Sequence, residues 1–395
     1  MLDYSKILSK TVVDLKPSGI RKFFDLLGDM DDVVALTVGQ PDFPTPWHVR
    51  EAGIDSLVQG KTYYTSNAGT AELRDEIAKY MLRRFGLKYD GQTETFVTVG
   101  GSEAIDVAIR AIVEPGDEVI IPTPSFVCYE PIVRLAGGIP VIVATEFKDE
   151  FKLTPEKLKA AITPKTKMIV LPFPNNPTGS IMTKEELEDI ASLVRNTNIM
   201  ILSDEIYAEM TYGGLKHISI ASIPDMWEHT IIVNGFSKAY AMTGWRMGFL
   251  CAPAPLIKQM LKIHQYAIMC APTTSQFAAI EALRNGDDDI QMMVDEYDRR
   301  RKYIYDGLKN IGIDSFEPKG AFYIFPNIGN FGMSSEKFCE KLLYDYGCAV
   351  VPGEAFGNSG EGFARISYAY SVKHITQALE RIDKFVTDIK KGTVK

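Results

Sequence analysis

One lysine of the chain follows an apolar run and has two anion-binding side chains close to it. The stretch NGFSKAYAMTGWRMGF covers residues 234–249 and contains Ser237, Lys238 and, eight positions after the lysine, Arg246. A lysine amine can form a Schiff base with a carbonyl when its surroundings lower its pKa, and a serine and an arginine can bind a phosphate. Most lysines are solvated surface residues, so this stretch alone leaves both interpretations of Lys238 open.

A glycine pair precedes a helical pattern in the motif VGGSEAID. Gly100, Gly101 and Ser102 stand where a strand-like run gives way to helical periodicity. Small residues let backbone N–H groups approach an anion, and the N-terminus of a helix favours negative charge. A tight turn capped by a serine has the same composition, so the motif alone is weak. It is not a dinucleotide-binding fingerprint, because G-x-G-x-x-G is absent.

Two further motifs, FPNNPTG and LSDEIYAEM, place polar side chains after apolar runs. In the first, Asn176 can offer its amide to a ligand oxygen, although the stretch would also make an ordinary turn. In the second, Asp204 ends a predicted strand three residues before Tyr207. A carboxylate in that position is costly unless it has a partner. A cationic ring nitrogen is one such partner, and a helix N-cap or an ion pair in the core are others.

Taken together, these groups are what a pocket for pyridoxal 5'-phosphate requires. They comprise an anion cradle, an amide, a carboxylate at a strand end, a phenol, an amine and a guanidinium. The cofactor supplies an electron sink, and the protein supplies a partner for the ring nitrogen and a site for the phosphate. The sequence therefore predicts pyridoxal 5'-phosphate as the cofactor.

Strands that alternate with amphipathic helices have to position these groups. Apolar strands separated by helices predict an α/β fold with an open, mostly parallel sheet covered by helices on both faces. Ligands of such sheets lie beyond the carboxyl ends of the strands, which is where the four motifs fall. The predicted strands are 95–100, 118–122, 140–145, 167–174, 199–207, 230–237 and 246–253, and the clearest helices are 102–113 and 183–194.

The two ends of the chain differ from this middle part. Residues 1–48 are rich in loops and contain one strand candidate, VVALTVGQ. After about residue 285 a long polar helix precedes three short strands, AFYIFP, CAVVPG and FARISYA. We therefore expect a large cofactor-binding domain at 49–285, and a smaller α+β domain formed by the segment 1–48 together with 286–395.

Composition excludes several classes of protein. The 395 residues are 46% hydrophobic and 24% charged, and the net charge of −8 argues against a nucleic-acid partner. No apolar run approaches the roughly 18 residues of a membrane span, and the N-terminus lacks the core of a signal peptide. The five cysteines show no C-x-x-C pairing and do not cluster with histidines, so no metal site is expected. We predict a cytoplasmic protein without a membrane partner.

The motifs, in this order, resemble those of fold type I pyridoxal-phosphate aminotransferases of class I/II. The resemblance is colinear from about residue 17 to residue 385, and SDEIY followed by SK-x(7)-R is its most specific part. It implies a sheet of seven strands, ping-pong transamination from an L-amino acid to a 2-oxo acid such as 2-oxoglutarate, and a homodimer. The motifs that carry it are YYTSNAGTAELR, VGGSEAID, PTPSFVCY, LPFPNNPTG, SDEIY, FSKAYAMTGWRMG, GAFYIFP and ARISYA.

The resemblance also implies a role for each residue around the cofactor ring. Lys238 would form the aldimine with the cofactor and later act as the general base. Asp204 would keep the ring nitrogen protonated, and Tyr207 would donate to the phenolic oxygen of the ring. Asn176 would contact the same oxygen and the substrate carboxylate, and Phe126 would stack on the ring face.

The remaining implied roles concern the phosphate and the substrate carboxylate. Tyr64 would reach the phosphate of the neighbouring subunit, because the family forms dimers with composite sites. Arg365 would bind the α-carboxylate with both arms of its guanidinium, and Gly39 would close over it with its backbone. The residues that would hold the phosphate within one subunit are Gly101, Ser102, Ser237 and Arg246.

The chain departs from some relatives at two places. Gly235 stands where some of them have a phosphate-binding serine, so Ser237 would carry more of that role. The segment HQYAIMCAPTTSQ contains no arginine, whereas some aspartate-specific relatives have one there for the distal carboxylate. We therefore expect donors broader than aspartate, in the range of aspartate, aromatic and N-acetyl-diaminopimelate aminotransferases. The residues expected to accept an uncharged side chain are Ile20, Phe23, Tyr63 and Tyr266, and the cations that could still rescue a dicarboxylate are Arg21 and Lys22.

Three other classes share part of this pattern. A C–S lyase of the same fold would use the same lysine and aspartate. A ligand-sensing regulator would need a DNA-binding extension, whereas this acidic chain is expected to start at the catalytic domain. A metabolite-binding protein without catalysis would have no need of Lys238. The pattern favours an aminotransferase over all three.

Overall fold

A computed structural model describes residues 2–17, residue 19 and residues 32–394. Four residues of the predicted side-chain pocket, Ile20, Arg21, Lys22 and Phe23, lie outside the described residues. Within the described part of the chain, no helix is long and apolar enough to cross a membrane.

Twelve strands are found in the described residues. Most are short, and seven of them form one sheet. In chain order they are β1 (Val34–Ala35), β2 (Thr95–Thr98), β3 (Glu118–Thr123), β4 (Ile139–Ala144), β5 (Thr166–Leu171), β6 (Met200–Asp204), β7 (Thr230–Gly235), β8 (Gly248–Cys251), β9 (Tyr323–Ile324), β10 (Cys348–Ala349), β11 (Val351–Pro352) and β12 (Ala364–Ser367).

The α-helices of the described residues run between and after these strands. In chain order they are α1 (Lys10–Asp14), α2 (Trp47–Val58), α3 (Ala71–Phe85), α4 (Gly100–Ile112), α5 (Tyr129–Leu135), α6 (Pro155–Ala161), α7 (Lys184–Val194), α8 (Phe236–Ala239), α9 (Ala254–Ala267), α10 (Thr273–Asn285), α11 (Asp287–Ile311), α12 (Ser335–Tyr346) and α13 (Val372–Lys390).

The central sheet has the strand order β2-β8-β7-β6-β5-β3-β4. Strand β8 is antiparallel to both of its neighbours, and all the other pairs are parallel. Such a sheet needs helical crossovers, which cover it on both sides with apolar side chains. One core cluster packs α4 and α9 on the sheet and another packs α6 and α7 on it. The predicted α/β fold with a mostly parallel seven-stranded sheet is confirmed.

Local signals explain where several helices begin and end. Thr183 accepts a hydrogen bond from the backbone of Glu186, whose side chain accepts one from Thr183 in return, so the predicted capping box is present at α7. Helix α3 ends at Gly86, which has a φ of 70° and donates its N–H back to the last turn. The strands are shorter than predicted at their carboxyl ends: β6 stops at Asp204, and Gly100 already belongs to α4.

The two ends of the chain pack together beside the central sheet. Two small sheets, β1-β10 and β11-β12-β9, lie with helices α11, α12 and α13 around one apolar cluster. Val34 and Leu36 of the N-terminal part are buried in it with residues such as Phe338 and Ile375. Residues far apart in sequence therefore share one core. The predicted boundaries near residues 48 and 285 stay a prediction.

Candidate active site

A cavity of about 370 Å³ opens at the carboxyl ends of β5, β6 and β7. This is the edge at which a parallel sheet places its ligands. Of the residues predicted to bind the cofactor or the substrate α-carboxylate, all except Tyr64 line it. Those residues are Gly39, Gly101, Ser102, Phe126, Asn176, Asp204, Tyr207, Ser237, Lys238, Arg246 and Arg365.

Lys238 lies in α8, a single helical turn that follows β7. Its Nζ donates a hydrogen bond to the carbonyl of Gly39 at 2.6 Å and lies 5.6 Å from the ring centre of Tyr207. Burial, together with the positive charges of Arg365 and Arg246, lowers the pKa of Lys238 to about 8, against the pull of Asp204. A pKa of about 8 leaves about a tenth of this amine neutral at pH 7, and the neutral form is the one that attacks a carbonyl.

Asp204 is the last residue of β6 and is buried. Burial raises the pKa of its carboxyl group, while two donors stabilise the charged form: the hydroxyl of Tyr129 at 2.6 Å and the backbone N–H of Ile206 at 3.2 Å. Tyr129 was not predicted from the sequence, although it follows Phe126 by three residues in PTPSFVCY and the two rings meet edge to face at 6.2 Å. The carboxylate is thus held at a fixed place in the cavity wall.

Tyr207 approaches the cavity from the turn after β6. Its hydroxyl lies 2.7 Å from the hydroxyl of Tyr323, and burial raises the pKa of the Tyr207 phenol well above its ordinary value. The phenol is therefore a neutral hydrogen-bonding group at neutral pH. Tyr323 comes from β9 and was also not predicted as a site residue, although GAFYIFP was part of the resemblance. A Cβ at Gly39 would collide with the Tyr323 hydroxyl, so that position needs a glycine.

Arg365 is a buried guanidinium on β12. One arm donates to the side-chain oxygen of Asn176 at 2.9 Å and the other to the carbonyl of Thr37 at 2.5 Å. The aromatic rings of Tyr323 and Phe356 lie 4.7 and 4.8 Å from its carbon. Its Nε has no hydrogen-bond partner, and no carboxylate pairs with it among residues 32–394. A buried cation with spare donors is suited to bind a carboxylate.

Asn175 and Asn176 of FPNNPTG have different surroundings. The side-chain oxygen of Asn175 accepts from the backbone and hydroxyl of Thr178, so this first asparagine shapes the turn. Asn176 lines the cavity and accepts from Arg365. The turn and ligand interpretations of this motif therefore apply to different residues.

The anion cradle is formed where β2 turns into α4. Gly100 has a φ of 77°, and a Cβ there would collide with the guanidinium of Arg246. Gly248 of β8 packs against the backbone of the same turn, because a Cβ at that position would lie 2.6 Å from the carbonyl carbon of Gly100. Arg246 itself donates to the carbonyl of Thr243 at 3.0 Å. Glycines therefore bring a helix N-terminus close to an arginine, as a bound phosphate requires.

Gly235 has no room for a side chain. A Cβ there would lie 2.9 Å from the Cα of Gly248 and 2.9 Å from the carbonyl oxygen of Met247. The serine that some relatives carry at this position would therefore clash with β8. Ser237, two residues later, is buried and lines the cavity.

Tyr64 does not line the cavity of its own chain. Its side chain is 78% exposed, and the neighbouring Tyr63 and the more distant Tyr266 are exposed as well, at 62% and 88%. Hydrogen bonds from Thr273 to Tyr63 and from Asn67 to Met269 bring their segments together, and a patch of exposed aromatic side chains marks an interaction surface. Tyr63 and Tyr266 do not line the cavity either.

The donor set fits pyridoxal 5'-phosphate. A lysine amine with a lowered pKa, a buried carboxylate and a glycine cradle next to an arginine face one cavity, and an arginine with an unpartnered buried Nε lies across it. These are the groups that hold the aldehyde, the ring nitrogen, the phosphate and a substrate carboxylate. Among the described residues, no group of histidine, cysteine and acidic side chains could hold a metal ion.

The fold and the cavity define a pyridoxal-phosphate enzyme of fold type I, and the comparisons with known proteins give the family. The model of aminotransferase class I and II matches residues 31–382, and the chain belongs to this family. YugH of Bacillus subtilis (strain 168), whose name calls it an aminotransferase without stating a substrate, is 54% identical over 96% of this chain and 98% of its own length.

Two further relatives differ in the substrate that their names state. A probable N-acetyl-LL-diaminopimelate aminotransferase of Bacillus subtilis (strain 168) is 47% identical over 96% of each chain. The structure of aspartate aminotransferase from Thermus thermophilus with maleate superposes with a TM-score of 0.91 at 41% identity, covering 95% of this chain and 99% of that one. The protein is an aminotransferase, and its family depends on pyridoxal phosphate.

Proposed function

We propose that the protein transfers an amino group from an L-amino acid to a 2-oxo acid, with 2-oxoglutarate as an acceptor, by a ping-pong mechanism centred on Lys238. One observation carries the proposal: an amine whose pKa is lowered to about 8 shares a cavity with a buried carboxylate and with a buried guanidinium that no carboxylate of residues 32–394 pairs with. The proposal includes a cytoplasmic location, which rests on the sequence alone.

The chain would hold the cofactor through three sets of residues. Asp204 would accept from the ring nitrogen, because it is the one carboxylate lining the cavity among the described residues. Tyr207 and Asn176 would contact the oxygen on the ring, and Phe126 would pack on the ring face. The residues proposed to bind the phosphate are Gly101, Ser102, Ser237 and Arg246. When bound, the cofactor supplies the electron sink that stabilises negative charge at the substrate α-carbon.

Lys238 would move the proton at the substrate α-carbon. A general base works best when its pKa lies near the working pH, and burial with two neighbouring cations brings this amine to about 8. Because Lys238 lies in the single helical turn α8, directly after β7, its amine has a fixed position relative to Asp204. The rings of Tyr207 and Phe322, at 5.6 and 5.9 Å, exclude water from one side.

Arg365 would bind the α-carboxylate that all amino-acid donors share. Asn176 already orients one arm of the guanidinium, and Tyr323 and Phe356 pack close to it, so the fork is preorganised. Gly39 would contact the same carboxylate with its backbone, because it lies two residues after Thr37, whose carbonyl accepts from the other arm of the Arg365 guanidinium. Preorganisation of this kind lowers the entropic cost of binding.

A second subunit would complete the site. The exposure of Tyr63, Tyr64 and Tyr266 supports a surface that is covered in the active protein. Tyr64 would then reach the phosphate bound by the second copy, in a homodimer with composite sites. Mixing an inactive Lys238→Ala subunit with an inactive Tyr64→Phe subunit should restore activity at one of the two sites of the hybrid. A fully active monomer in light scattering would refute the shared site.

The donor range would be broader than aspartate. The cationic side chains that line the cavity, within residues 32–394, are those of Lys238, Arg246 and Arg365, and each has a proposed role. A second buried carboxylate without a cationic partner would cost several kcal/mol. Arg21 and Lys22, the remaining candidates from the sequence, lie outside the described residues.

The decisive experiment is a panel of amino donors against 2-oxoglutarate, comparing kcat/KM. We expect aromatic, aliphatic or acylated diamino donors to be used at rates comparable to aspartate. An advantage of aspartate of about a thousandfold over all of them would show that a cation of the N-terminal segment serves the distal carboxylate. Product formation from a sulfur-containing amino acid without any 2-oxo acid would favour a C–S lyase instead.

A further inference from the structure

A buried imidazole–carboxylate pair lies directly behind the anion cradle. Glu103 is in the first turn of α4, one residue after Ser102, and its Oε1 lies 2.6 Å from Nδ1 of His264 on α9. The histidine side chain is fully buried and the glutamate side chain is only 12% exposed. Neither residue lines the cavity, so the catalytic roles proposed above do not account for the pair.

Glu103 fixes the shape of the turn that forms the cradle. Its second oxygen accepts the backbone N–H of Val99, the residue that precedes the first glycine of the motif. This bond fixes the N-terminal end of α4 on the side away from the cavity, so that the N–H groups that follow are free to face the cavity. A carboxylate close to a phosphate site repels the anion, and a hydrogen bond accepted from the far side draws its charge away from the cradle. His264 is placed to donate that bond in the tautomer that carries the hydrogen on Nδ1.

The backbone carbonyl of His264 holds the C-terminal end of helix α9 in place. Its carbonyl accepts the N–H groups of Ile268 at 2.8 Å and Met269 at 3.1 Å, which ends helix α9. The carbonyl of Met269 in turn accepts from the side chain of Asn67 at 2.8 Å. Met269 has a φ of 73°, so this chain reversal has a defined geometry.

The segment that carries Asn67 is the one that carries Tyr64. It is further fixed by Thr273, whose hydroxyl donates to the carbonyl of Tyr63 at 2.6 Å, and by Gln276, whose amide donates to Thr65 at 2.9 Å. The exposed Tyr64 therefore projects from a segment tied to both α10 and the end of α9. Hydrogen bonds, together with the backbone of residues 264–269, therefore connect the cradle to this segment.

We propose that Glu103 and His264 are positioning residues that connect the phosphate cradle of one subunit to the Tyr63–Asn67 segment that it offers to the next subunit. The inference rests on the proposed function, because it needs a phosphate in the cradle and a second copy at Tyr64. A phosphate held in the cradle then stabilises the arrangement in which this segment completes the neighbouring site. By thermodynamic reciprocity, dimer formation tightens cofactor binding to the same degree.

The test uses the full-length protein and measures cofactor affinity separately from turnover. His264→Leu removes the donor, and His264→Asn keeps one N–H close to the position of Nδ1. The matched control is His48→Gln, which removes another imidazole, 2.7 Å from Glu281 and 2.9 Å from Asp289, away from the cavity. The dissociation constant of pyridoxal 5'-phosphate is measured by titration of the apoprotein, with inorganic phosphate as competitor.

We expect His264→Leu to weaken binding of the cofactor and of inorganic phosphate about tenfold, the scale of losing an outer partner of a bound group. His264→Asn should recover most of this loss, and His48→Gln should leave both constants unchanged. Sedimentation should show that the cofactor strengthens the wild-type dimer more than the His264→Leu dimer. A His264→Leu protein with wild-type constants, or an equal loss in His48→Gln, would overturn the inference.

Failure of the inference and failure of the proposed function give different results. If wild-type protein binds the cofactor on Lys238, as borohydride reduction and peptide mapping would show, the proposed function stands whatever the His264 variants do. If wild-type protein binds no cofactor, the proposed function fails and this inference fails with it. Should His264→Leu not fold, His264→Gln takes its place, because a glutamine places its N–H near Nε2 and not near Nδ1: wild-type constants in His264→Gln would overturn the inference, and a loss in His264→Gln that His264→Asn does not show would support it.

Discussion

The two walls of the cavity are built in different ways. One wall consists of residues at the ends of neighbouring strands of the central sheet, among them Asp204 and Lys238, which follow β6 and β7. The other wall consists of Gly39 from the N-terminal part of the chain and of Tyr323 and Arg365 from the C-terminal part, which meet outside that sheet. In the proposed function, the sheet wall would hold the cofactor and the second wall would bind the substrate carboxylate.

This difference separates fixed chemistry from adjustable recognition. Parallel strands bring their carboxyl ends together whatever the loops do, so the sheet wall is determined by the fold. The second wall depends on how the two chain ends pack, and a change there alters binding without disturbing the sheet. We therefore expect the largest losses from changes in the sheet wall, smaller losses from changes in the second wall, and the smallest effects from changes outside both walls.

The largest effect should come from Lys238→Ala. Loss of the amine removes both the attachment point and the proton carrier, so kcat should fall by about a millionfold, the scale of losing an essential nucleophile. Borohydride should no longer fix the cofactor to the protein. The control is Lys337→Ala, an exposed lysine on α12, which should behave as wild type. A borohydride-labelled peptide that contains a different lysine would contradict the assignment.

Asp204→Ala should be the next most severe change. Removing the carboxylate leaves the ring nitrogen without its counter-charge, and we expect turnover to fall about a thousandfold or more, as for other preorganised electrostatic partners. Single-turnover rates with a deuterated α-carbon would show whether proton abstraction is the slowed step. Near-normal turnover would mean that another group holds the ring nitrogen.

Arg365→Lys tests the second wall. A lysine keeps the charge but loses the fork, so kcat/KM should fall about a hundredfold, and by a similar factor for every donor amino acid, because all share the α-carboxylate. Affinity for the cofactor alone should stay unchanged. A loss confined to one class of donor would instead assign Arg365 to side-chain recognition.

Tyr129→Phe should have a milder effect on the sheet wall. The phenol donates to Asp204, and a hydrogen bond to a charged group contributes about 1.5–3 kcal/mol, so kcat/KM should fall about tenfold. Without this donor the pKa of Asp204 rises further, and the low-pH limb of the activity profile should move to higher pH. A tenfold loss with an unmoved limb would indicate a packing defect only.

The smallest effect concerns His48, which lies outside both walls of the cavity. It bridges Glu281 on α10 and Asp289 on α11 from the start of α2. Burial alone would lower the pKa of His48, but the hydrogen bonds to Asp289 and Glu281 raise it above 6.5. A raised pKa gives stability that is fully present below 6.5 and is lost as the pH rises through the folded-state value.

His48→Gln should therefore lower the melting temperature by a few degrees in acidic buffer and by less in alkaline buffer. Thermal denaturation at a series of pH values measures this difference, with wild type as the reference at each pH. A difference that grows as the pH rises would contradict the assigned direction.

The sequence alone was sufficient to predict the residues of the sheet wall, and only partly sufficient to predict those of the second wall. Apolar strands ending in Asp204 and Lys238 predicted both the fold and the proximity of these residues, because the carboxyl ends of parallel strands meet. Arg365 and Gly39 were expected only from the resemblance, since no local pattern brings residues 39 and 365 together. Both line the cavity, and their roles remain proposals.

Tyr129 and Tyr323 show why the rest could not be predicted. Each is a tyrosine in a short apolar motif, where core packing is the ordinary expectation. Their hydroxyl partners, Asp204 and Tyr207, lie 75 and 116 positions away, so only the folded chain reveals the contacts. The predicted strands also extended too far at their carboxyl ends. Residues after Asp204 continue the apolar pattern, although the strand itself ends at Asp204.

The close packing of Gly235 on Gly248 restricts the evolutionary paths open to this protein. A single mutation to serine at position 235 would place its Cβ 2.9 Å from the neighbouring strand. Such a serine would require Gly248 and Met247 to shift, and Gly248 also packs against the turn at Gly100. A change at position 235 would therefore be transmitted to the anion cradle itself, so these two positions cannot vary independently.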